Sequence, residues 1–131
     1  INKEMKRRQA IFDEVDINPQ DIKEYHKQGF HKTHKPLPII IIVIDEFAEV
    51  KKNLPEFVPV IESVFALGRS LGIYAIVSTQ KPSGVVTDKM NGNSQFRWCC
   101  RVASTGDSKE MIKRVDAAKI TNAVFFAMCV V

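Results

Sequence analysis

A run of β-branched residues at positions 39–44 constrains the fold of this chain more than any other feature. The run reads Ile-Ile-Ile-Ile-Val-Ile and shows no alternation of apolar and polar positions. That pattern is typical of a strand buried on both faces, as in a parallel sheet covered by helices. The run therefore predicts an α/β domain.

Strand and helix signals alternate along the rest of the chain. The spacing of apolar residues predicts a helix over residues 2–14, and a second β-rich run predicts a strand over 73–78. Further strands are predicted at 95–103 and 123–131, separated by a helix that Asp107 would cap. This order favours an α/β fold with a mainly parallel sheet.

The composition is that of a globular domain and excludes several other classes. Apolar residues make up 45% of the 131 residues and charged residues 26%. The net charge of +4 is interspersed, so by itself it is weak evidence for nucleic-acid binding. The three cysteines have neither disulfide nor zinc spacing, which indicates a reducing compartment. No apolar run is long enough to span a bilayer, so this stretch of chain is expected to be soluble.

Two segments differ in character. Residues 1–35 are polar and mainly helical, whereas residues 36–131 contain the apolar strands. The polar segment includes His26, His31 and His34, for which a metal site is one interpretation. Lysines are interleaved with these histidines and repel a cation, so a solvated linker is favoured.

Two acidic residues, Asp45 and Glu46, directly follow the first predicted strand. In open α/β sheets, ligands bind just beyond the carboxyl ends of the strands. There Asp45 could hold Mg²⁺, usually through water, and Glu46 could orient and deprotonate a water that attacks the γ-phosphate of ATP. An acidic turn without function is the alternative for this pair taken alone.

The next predicted strand ends in a second polar pair, Thr79 and Gln80. These residues would lie at the same edge of the sheet, where a glutamine can hydrogen-bond a γ-phosphate or the attacking water. The alternative is that the pair merely opens a loop. Polar groups at the ends of two neighbouring strands are less expected by chance than at one.

Several motifs follow one another along the chain, namely EMKRR at 4–8, IDEFAE at 44–49, GRSLGI at 68–73, TQKPSGVV at 79–86 and DSKEM at 107–111. These motifs and their order resemble the FtsK/SpoIIIE family of P-loop ATPases, most closely the motors of type VII secretion. The main resemblance covers residues 36–122. It implies a three-layer RecA-like P-loop fold with a mainly parallel sheet, incomplete at its N-terminal side.

The resemblance also implies roles for the polar residues at the strand ends. Asp45 would be the Walker B aspartate that binds Mg²⁺, and Glu46 would be the catalytic base. Gln80 would sense the γ-phosphate, with Thr79 beside it in the nucleotide site. The implied cofactors are ATP and Mg²⁺.

The resemblance further implies a hexameric ring with ATP between subunits. Arg7 or Arg8 would reach the neighbouring subunit as an arginine finger, although simple solvation of a helix is the alternative for both. The partners would be other ATPase domains of the same polypeptide, neighbouring subunits, a membrane secretion complex and exported proteins. The motor would work at the cytoplasmic face of the bacterial cell membrane.

The chain departs from the family pattern in three places. No G-x-x-x-x-G-K-[ST] phosphate loop occurs in the sequence. That loop is expected upstream of residue 1, on a strand beside residues 39–44, and the isolated chain is expected neither to bind ATP tightly nor to hydrolyse it. Val115 stands where the family usually has proline. Residues 123–131 lack the usual Pro-Gly-Arg-like turn.

Two other functions are compatible with these residues. One is a DNA translocase of the same superfamily, which uses the same nucleotide chemistry. The motifs at 68–73 and 79–86 favour secretion over this function, and no basic loop that would face a DNA duplex stands out in the sequence. A catalytically silent, ATPase-like structural module is the third interpretation. The retention of both Asp45 and Glu46 argues against it.

Overall fold

The strands of the described residues form one four-stranded sheet. The computed structural model describes residues 1–17, 20–121 and 127–130. The strands, in the order in which they lie across the sheet, are β1 (Ile40–Ile44), β2 (Ile73–Thr79), β4 (Ala127–Val130) and β3 (Phe96–Cys99).

Three of these strands run in one direction. β1 and β2 pair in parallel, from Ile40 opposite Ile73 to Ile44 opposite Val77. β4 lies between β2 and β3 and is antiparallel to both. β1, β2 and β3 therefore point the same way. The α/β fold with a mainly parallel sheet is confirmed.

Helices connect these strands and precede the first of them. The α-helices are α1 (Asn2–Glu14), α2 (Ile22–Lys27), α3 (Phe30–Thr33), α4 (Phe47–Asn53), α5 (Val58–Ser63), α6 (Arg69–Leu71), α7 (Asp88–Asn93) and α8 (Thr105–Ile112). A π-helical segment, Val64–Gly68, joins α5 to α6, and 3₁₀ turns occupy Pro55–Phe57 and Asp116–Lys119. The predicted helix over residues 2–14 is confirmed. Among the described residues, no helix combines the length and the apolar character needed to cross a membrane.

The crossover from β1 to β2 packs closely on the sheet at Gly68. A Cβ atom at this position would lie 2.2 Å from the carbonyl oxygen of Ile73, so only glycine allows the π-helical segment to approach the start of β2. Gly72 then ends α6 in the left-handed conformation, with φ +71°. The two glycines of the GRSLGI motif thus bring the chain from helix into strand.

The two faces of the sheet differ, which corrects one prediction. Ala75 and Val77 on one face are buried under the helices. On the other face Ile41 is 61% exposed and Val43 is 68% exposed, so the prediction that the first strand is buried on both faces is wrong for the described residues. The described helices form one layer, and they cover one face only.

Two further predictions need adjustment in the second half of the chain. The strand predicted at 95–103 is shorter and comprises Phe96–Cys99. Ser104, not Asp107, caps α8, because the Ser104 hydroxyl oxygen accepts the Asp107 N–H at 3.0 Å. Of the strand predicted at 123–131, Ala127–Val130 form β4 and the other residues lie outside the described part of the chain.

Besides its apolar side chains in the core, α1 contributes one buried charged side chain, Arg8. Its guanidinium donates from Nη1 to the Leu71 carbonyl oxygen at 2.8 Å, from Nη2 to the Pro38 carbonyl oxygen at 2.7 Å and from Nε to Glu4 Oε1 at 2.8 Å. Arg8 is fully buried. It therefore links α1 to the end of α6 and to the segment that enters β1.

Glu4 balances the buried charge of Arg8. Arg7 donates to both oxygens of Glu4 at 2.7 Å. These hydrogen bonds are the largest influence on the pKa of Glu4; desolvation opposes them, Arg8 reinforces them, and the pKa falls from 4.5 to about 2. Glu4 is thus ionised at neutral pH, and the guanidinium of Arg8 is a paired charge.

We expect Arg8→Met to lower the free energy of unfolding of the chain by about 3–5 kcal/mol, because it leaves buried carbonyl oxygens without a donor. Arg7→Met is the matched control, since Arg7 also binds Glu4 but its side chain is 47% exposed. That control should change the free energy by less than about 1 kcal/mol. Urea denaturation measures both, and equal losses would contradict the role given to Arg8.

We expect Gly68→Ala to destabilise the chain by about 1–3 kcal/mol or more, because the added methyl group meets a backbone oxygen that cannot move aside. Gly92→Ala is the control, since Gly92 lies in α7 and a Cβ there would have no neighbour within 4 Å. Alanine in that helix should raise the free energy of unfolding by up to about 1 kcal/mol. The midpoints of urea unfolding would show opposite shifts for the two variants.

Candidate functional site

The predicted polar residues meet at the carboxyl ends of β1 and β2. The two strands are parallel and in register, and the last paired residues are Ile44 and Val77. The residues that come directly after Ile44 and after Val77 therefore lie at the same edge of the sheet. This is the position at which open α/β sheets bind ligands.

Glu46 is held by two groups from the end of β2. The Thr79 hydroxyl donates to Glu46 Oε1 at 2.7 Å, and the Gln80 N–H donates to Oε2 at 3.1 Å. Thr79 is buried and Glu46 is half-buried. Each carboxylate oxygen thus has one fixed hydrogen bond, and the orientation of the group is set by β2.

The backbone at Glu46 makes the sharp turn that creates this contact. Its φ is +53°, in the left-handed region that a residue with a Cβ seldom adopts. Helix α4 begins directly afterwards at Phe47, whose side chain is fully buried and holds the turn in place. Residues held in such conformations occur often at functional sites, where the surrounding packing offsets a cost of about 1–3 kcal/mol.

Asp45 is held by a residue that the sequence analysis missed. The Ser78 hydroxyl lies 2.8 Å from Asp45 Oδ1, and Ser78 is buried while Asp45 is exposed. A single serine within a β-rich run gave no functional signal of its own. Its position immediately before Thr79 was the available clue.

Gln80 lies at an open cleft beside these carboxylates. The cleft has a volume of about 190 Å³ and is lined by Glu46, Ala48, Glu49, Gln80 and Lys81. A larger cleft of about 360 Å³ lies beside β3, and its lining includes no acidic side chain. Of these two clefts, the smaller one is therefore next to the predicted site residues Glu46 and Gln80.

The residues at this edge suit Mg²⁺ bound together with a phosphate ligand. Among the described residues no group of three or more metal-ligating side chains is present, so these residues alone form no complete metal cage. Mg²⁺ commonly binds through one or two carboxylates, several waters and the phosphates of a nucleotide. The exposed carboxylate of Asp45 fits that mode of binding.

The loop at residues 81–86 is anchored to two helices. The Ser83 N–H donates to Asp107 Oδ1 at 3.3 Å, and the Gly84 N–H donates to Glu110 Oε1 at 3.2 Å. From α4, Lys51 Nζ donates to the Gly84 carbonyl oxygen at 2.8 Å. The TQKPSGVV and DSKEM motifs, far apart in sequence, are therefore in direct contact.

The two candidate arginine fingers lie far from the carboxylates along the strands. Arg8 contacts Leu71 and Pro38, which precede β2 and β1, so it sits at the amino ends of these strands. A buried guanidinium with three partners is not free to extend to a neighbouring subunit. Arg7 is on the same helix and is half-exposed, although it binds Glu4.

Two of the three histidines of the polar segment lie together, and the third lies apart from them. The ring centroids of His26 and His31 are 4.9 Å apart, whereas His34 Nε2 lies 3.0 Å from Glu14 Oε2. The His26 Nε2 atom also lies 3.1 Å from the Leu37 carbonyl oxygen. The histidines do not converge on one point.

Solved structures share this fold. The cytoplasmic domain of the type VII secretion ATPase EccC of Thermomonospora curvata matches 96% of this chain and 16% of its own, with a TM-score of 0.74 and 24% identity. The pCW3 conjugation coupling protein TcpA, solved with ATPγS, matches 97% of this chain and 38% of its own, with a TM-score of 0.76 and 23% identity. This chain therefore has the α/β fold of these two proteins.

No family model matches this chain. Two related proteins have a higher sequence identity to it than the solved structures have. EccC of Geobacillus thermodenitrificans is 42% identical over 122 residues, and EssC of Staphylococcus aureus is 44% identical over 124 residues. Each alignment covers 92% of this chain and 8% of the relative. The chain is therefore a homologue of one segment of the type VII secretion proteins EssC and EccC, as the motifs predicted.

We expect Glu110→Ala to raise the hydrogen-exchange rate of the Gly84 amide by about tenfold or more, because a hydrogen bond to a charged acceptor contributes about 1.5–3 kcal/mol. Lys109→Ala, an exposed change on the same helix, is the control and should leave that rate unchanged. The Ser83 amide, which donates to Asp107, serves as an internal reference. Equal exchange of Gly84 in both variants would show that Glu110 does not anchor the loop.

Proposed function

We propose that this chain is part of an ATP-hydrolysing motor domain that powers protein export by type VII secretion at the cytoplasmic membrane. The observation that carries the proposal is the pair Asp45 and Glu46, each held by a hydroxyl group from β2 at the carboxyl edge of the sheet. The homology to EssC and EccC supports the choice of motor.

The two carboxylates would act differently on the nucleotide. Asp45 would hold Mg²⁺ through water, and the bound cation would offset charge on the phosphates. Glu46 would accept the proton of the attacking water. Each of its oxygens already accepts one hydrogen bond and keeps a further lone pair for that water.

Gln80 and Thr79 would complete the site from β2. The exposed side chain of Gln80 lines the cleft and would contact the γ-phosphate or the attacking water. Thr79 would contribute to the nucleotide site indirectly, because its hydroxyl group orients Glu46. A sensor and a base would thus be joined by the hydrogen bond from the Gln80 N–H to Glu46.

Arg7 is the better candidate for an arginine finger because Arg8 is buried. Arg7 would exchange Glu4 for the nucleotide of a neighbouring subunit when a ring assembles. An arginine supplied in this way increases the rate of phosphoryl transfer by about 10³–10⁵. The partners under this proposal are neighbouring subunits of a hexameric ring and other ATPase domains of the same polypeptide.

The strand that carries the phosphate loop would pair with the outer edge of β1. β1 lies at one end of the sheet order, so that edge has no partner among the described strands. Since the chain spans 8% of its EssC and EccC relatives, a strand carrying the loop would come from the longer polypeptide. The 131-residue chain alone is accordingly proposed to be inactive, with no ATP turnover above that of its Glu46→Gln variant.

A DNA translocase is the second candidate function. The similarity to the conjugation coupling protein TcpA keeps it open, since that similarity defines the fold and not the polymer that is moved. A catalytically silent module is less well supported. A degenerate site would have no need to hold Glu46 by two hydrogen bonds in a left-handed turn.

We expect Glu46→Gln in the full-length protein to lower ATP turnover by about 10²–10⁴, the range for loss of a general base. Glu56→Gln, an exposed carboxylate outside the site, is the control and should retain full turnover. Turnover is measured with and without duplex DNA. The secretion motor should be indifferent to DNA.

Two other outcomes would change the assignment. A several-fold rise in turnover on addition of DNA that disappears in Glu46→Gln would make the protein a translocase. Turnover equal in Glu46→Gln and the unchanged protein would remove Glu46 from the mechanism and favour the silent module.

A further inference from the structure

Two consecutive hydroxyl groups at the end of β2 each contact a different carboxylate of the site. We propose that Ser78 is a positioning residue for Asp45 and sets the Mg²⁺ requirement, whereas Thr79 is a positioning residue for Glu46 and sets the rate of the chemical step. This inference rests on the proposed ATPase function. It assigns separate roles to two neighbouring residues of one strand.

The proton of the Ser78 hydroxyl is directed to Asp45. The hydroxyl oxygen lies 2.8 Å from Asp45 Oδ1 and 3.3 Å from the Ile44 carbonyl oxygen, and a serine has only one proton to donate. A carboxylate is also the stronger acceptor. Within the described part of the chain, Asp45 Oδ2 accepts no hydrogen bond, so this oxygen is the one presented to a metal-bound water.

The proton of the Thr79 hydroxyl is directed to Glu46 for a related reason. Thr79 Oγ1 accepts the Lys81 N–H at 3.3 Å, which orients the hydroxyl from one side. Its own proton then has a near acceptor in Glu46 Oε1 at 2.7 Å and a distant one in the Lys81 carbonyl oxygen at 3.4 Å. The shorter, charge-assisted bond is the one that forms.

The two contacts lie on opposite faces of the sheet. Successive side chains of a strand alternate between faces, so Ser78 and Thr79 of β2 point in opposite directions, each toward the carboxylate that it contacts. Both hydroxyl-bearing residues are nearly inaccessible, with exposures of 6% for Ser78 and 3% for Thr79. They act on the carboxylates and not on the nucleotide.

The test uses the full-length protein and measures two quantities as functions of Mg²⁺ concentration: ATP turnover, and the binding of a fluorescent, non-hydrolysable ATP analogue. Ser78→Ala should raise the Mg²⁺ concentration for half-maximal turnover, and that for half-maximal analogue binding, by about tenfold or more, the usual effect of removing a group that orients a metal ligand. Its kcat at saturating Mg²⁺ should be nearly unchanged. Ser78→Thr retains a hydroxyl and should restore the original Mg²⁺ midpoint.

Thr79→Val should show the opposite pattern. It keeps the shape of the side chain, removes the hydroxyl and should lower kcat at saturating Mg²⁺ by about tenfold or more, since a misplaced base loses most of its advantage. The Mg²⁺ midpoint should stay the same. Thr79→Ser should recover kcat, and Ser63→Ala, which removes a hydroxyl in α5, should alter neither quantity.

The outcomes separate this inference from the proposed function. If Glu46→Gln abolishes turnover but Ser78→Ala and Thr79→Val have no effect, or have the same effect, the two positioning roles are wrong while the ATPase assignment stands. If Glu46→Gln retains full turnover, the ATPase assignment itself fails. Should Ser78→Ala not fold, Ser78→Cys keeps the volume with a weak donor and should shift the Mg²⁺ midpoint in the same direction.

Discussion

The parallel pairing of β1 with β2 is the interaction on which the rest of the structure depends. Parallel strands bring their amino ends to one edge of the sheet and their carboxyl ends to the other. At the amino edge, the guanidinium of Arg8 binds the carbonyl oxygens of Leu71 and Pro38. At the carboxyl edge, Asp45 and Glu46 meet the polar residues of β2. The pairing of β1 with β2 thus places the contacts of Arg8 at one edge of the sheet and the candidate site at the other.

The neighbouring residues Arg7 and Arg8 show that residue type alone does not determine whether a side chain is buried. Both bind Glu4, yet Arg8 is fully buried and Arg7 is half-exposed. Successive residues of a helix differ in direction by about 100°, so one arginine enters the domain and the other faces outward. A motif with two arginines could not indicate which of them is buried.

The contact between the loop at 81–86 and α8 gives a physical basis to two of the motifs. Asp107 and Glu110 accept backbone N–H groups of Ser83 and Gly84. The loop leads directly from Gln80, so the helix indirectly supports the residue proposed to sense the nucleotide.

Local patterns in the sequence determined the helix over Asn2–Glu14, the strands β1 and β2, and the carboxylates at the end of β1, since apolar periodicity and β-branching act within a few residues. Tertiary structure alone decided that β4 runs antiparallel between β2 and β3, that one face of β1 is exposed and that Arg8 is buried. It also decided that Ser78 holds Asp45, a contact between residues 33 positions apart. Such contacts depend on the register and direction of strands distant in sequence, which local patterns do not determine.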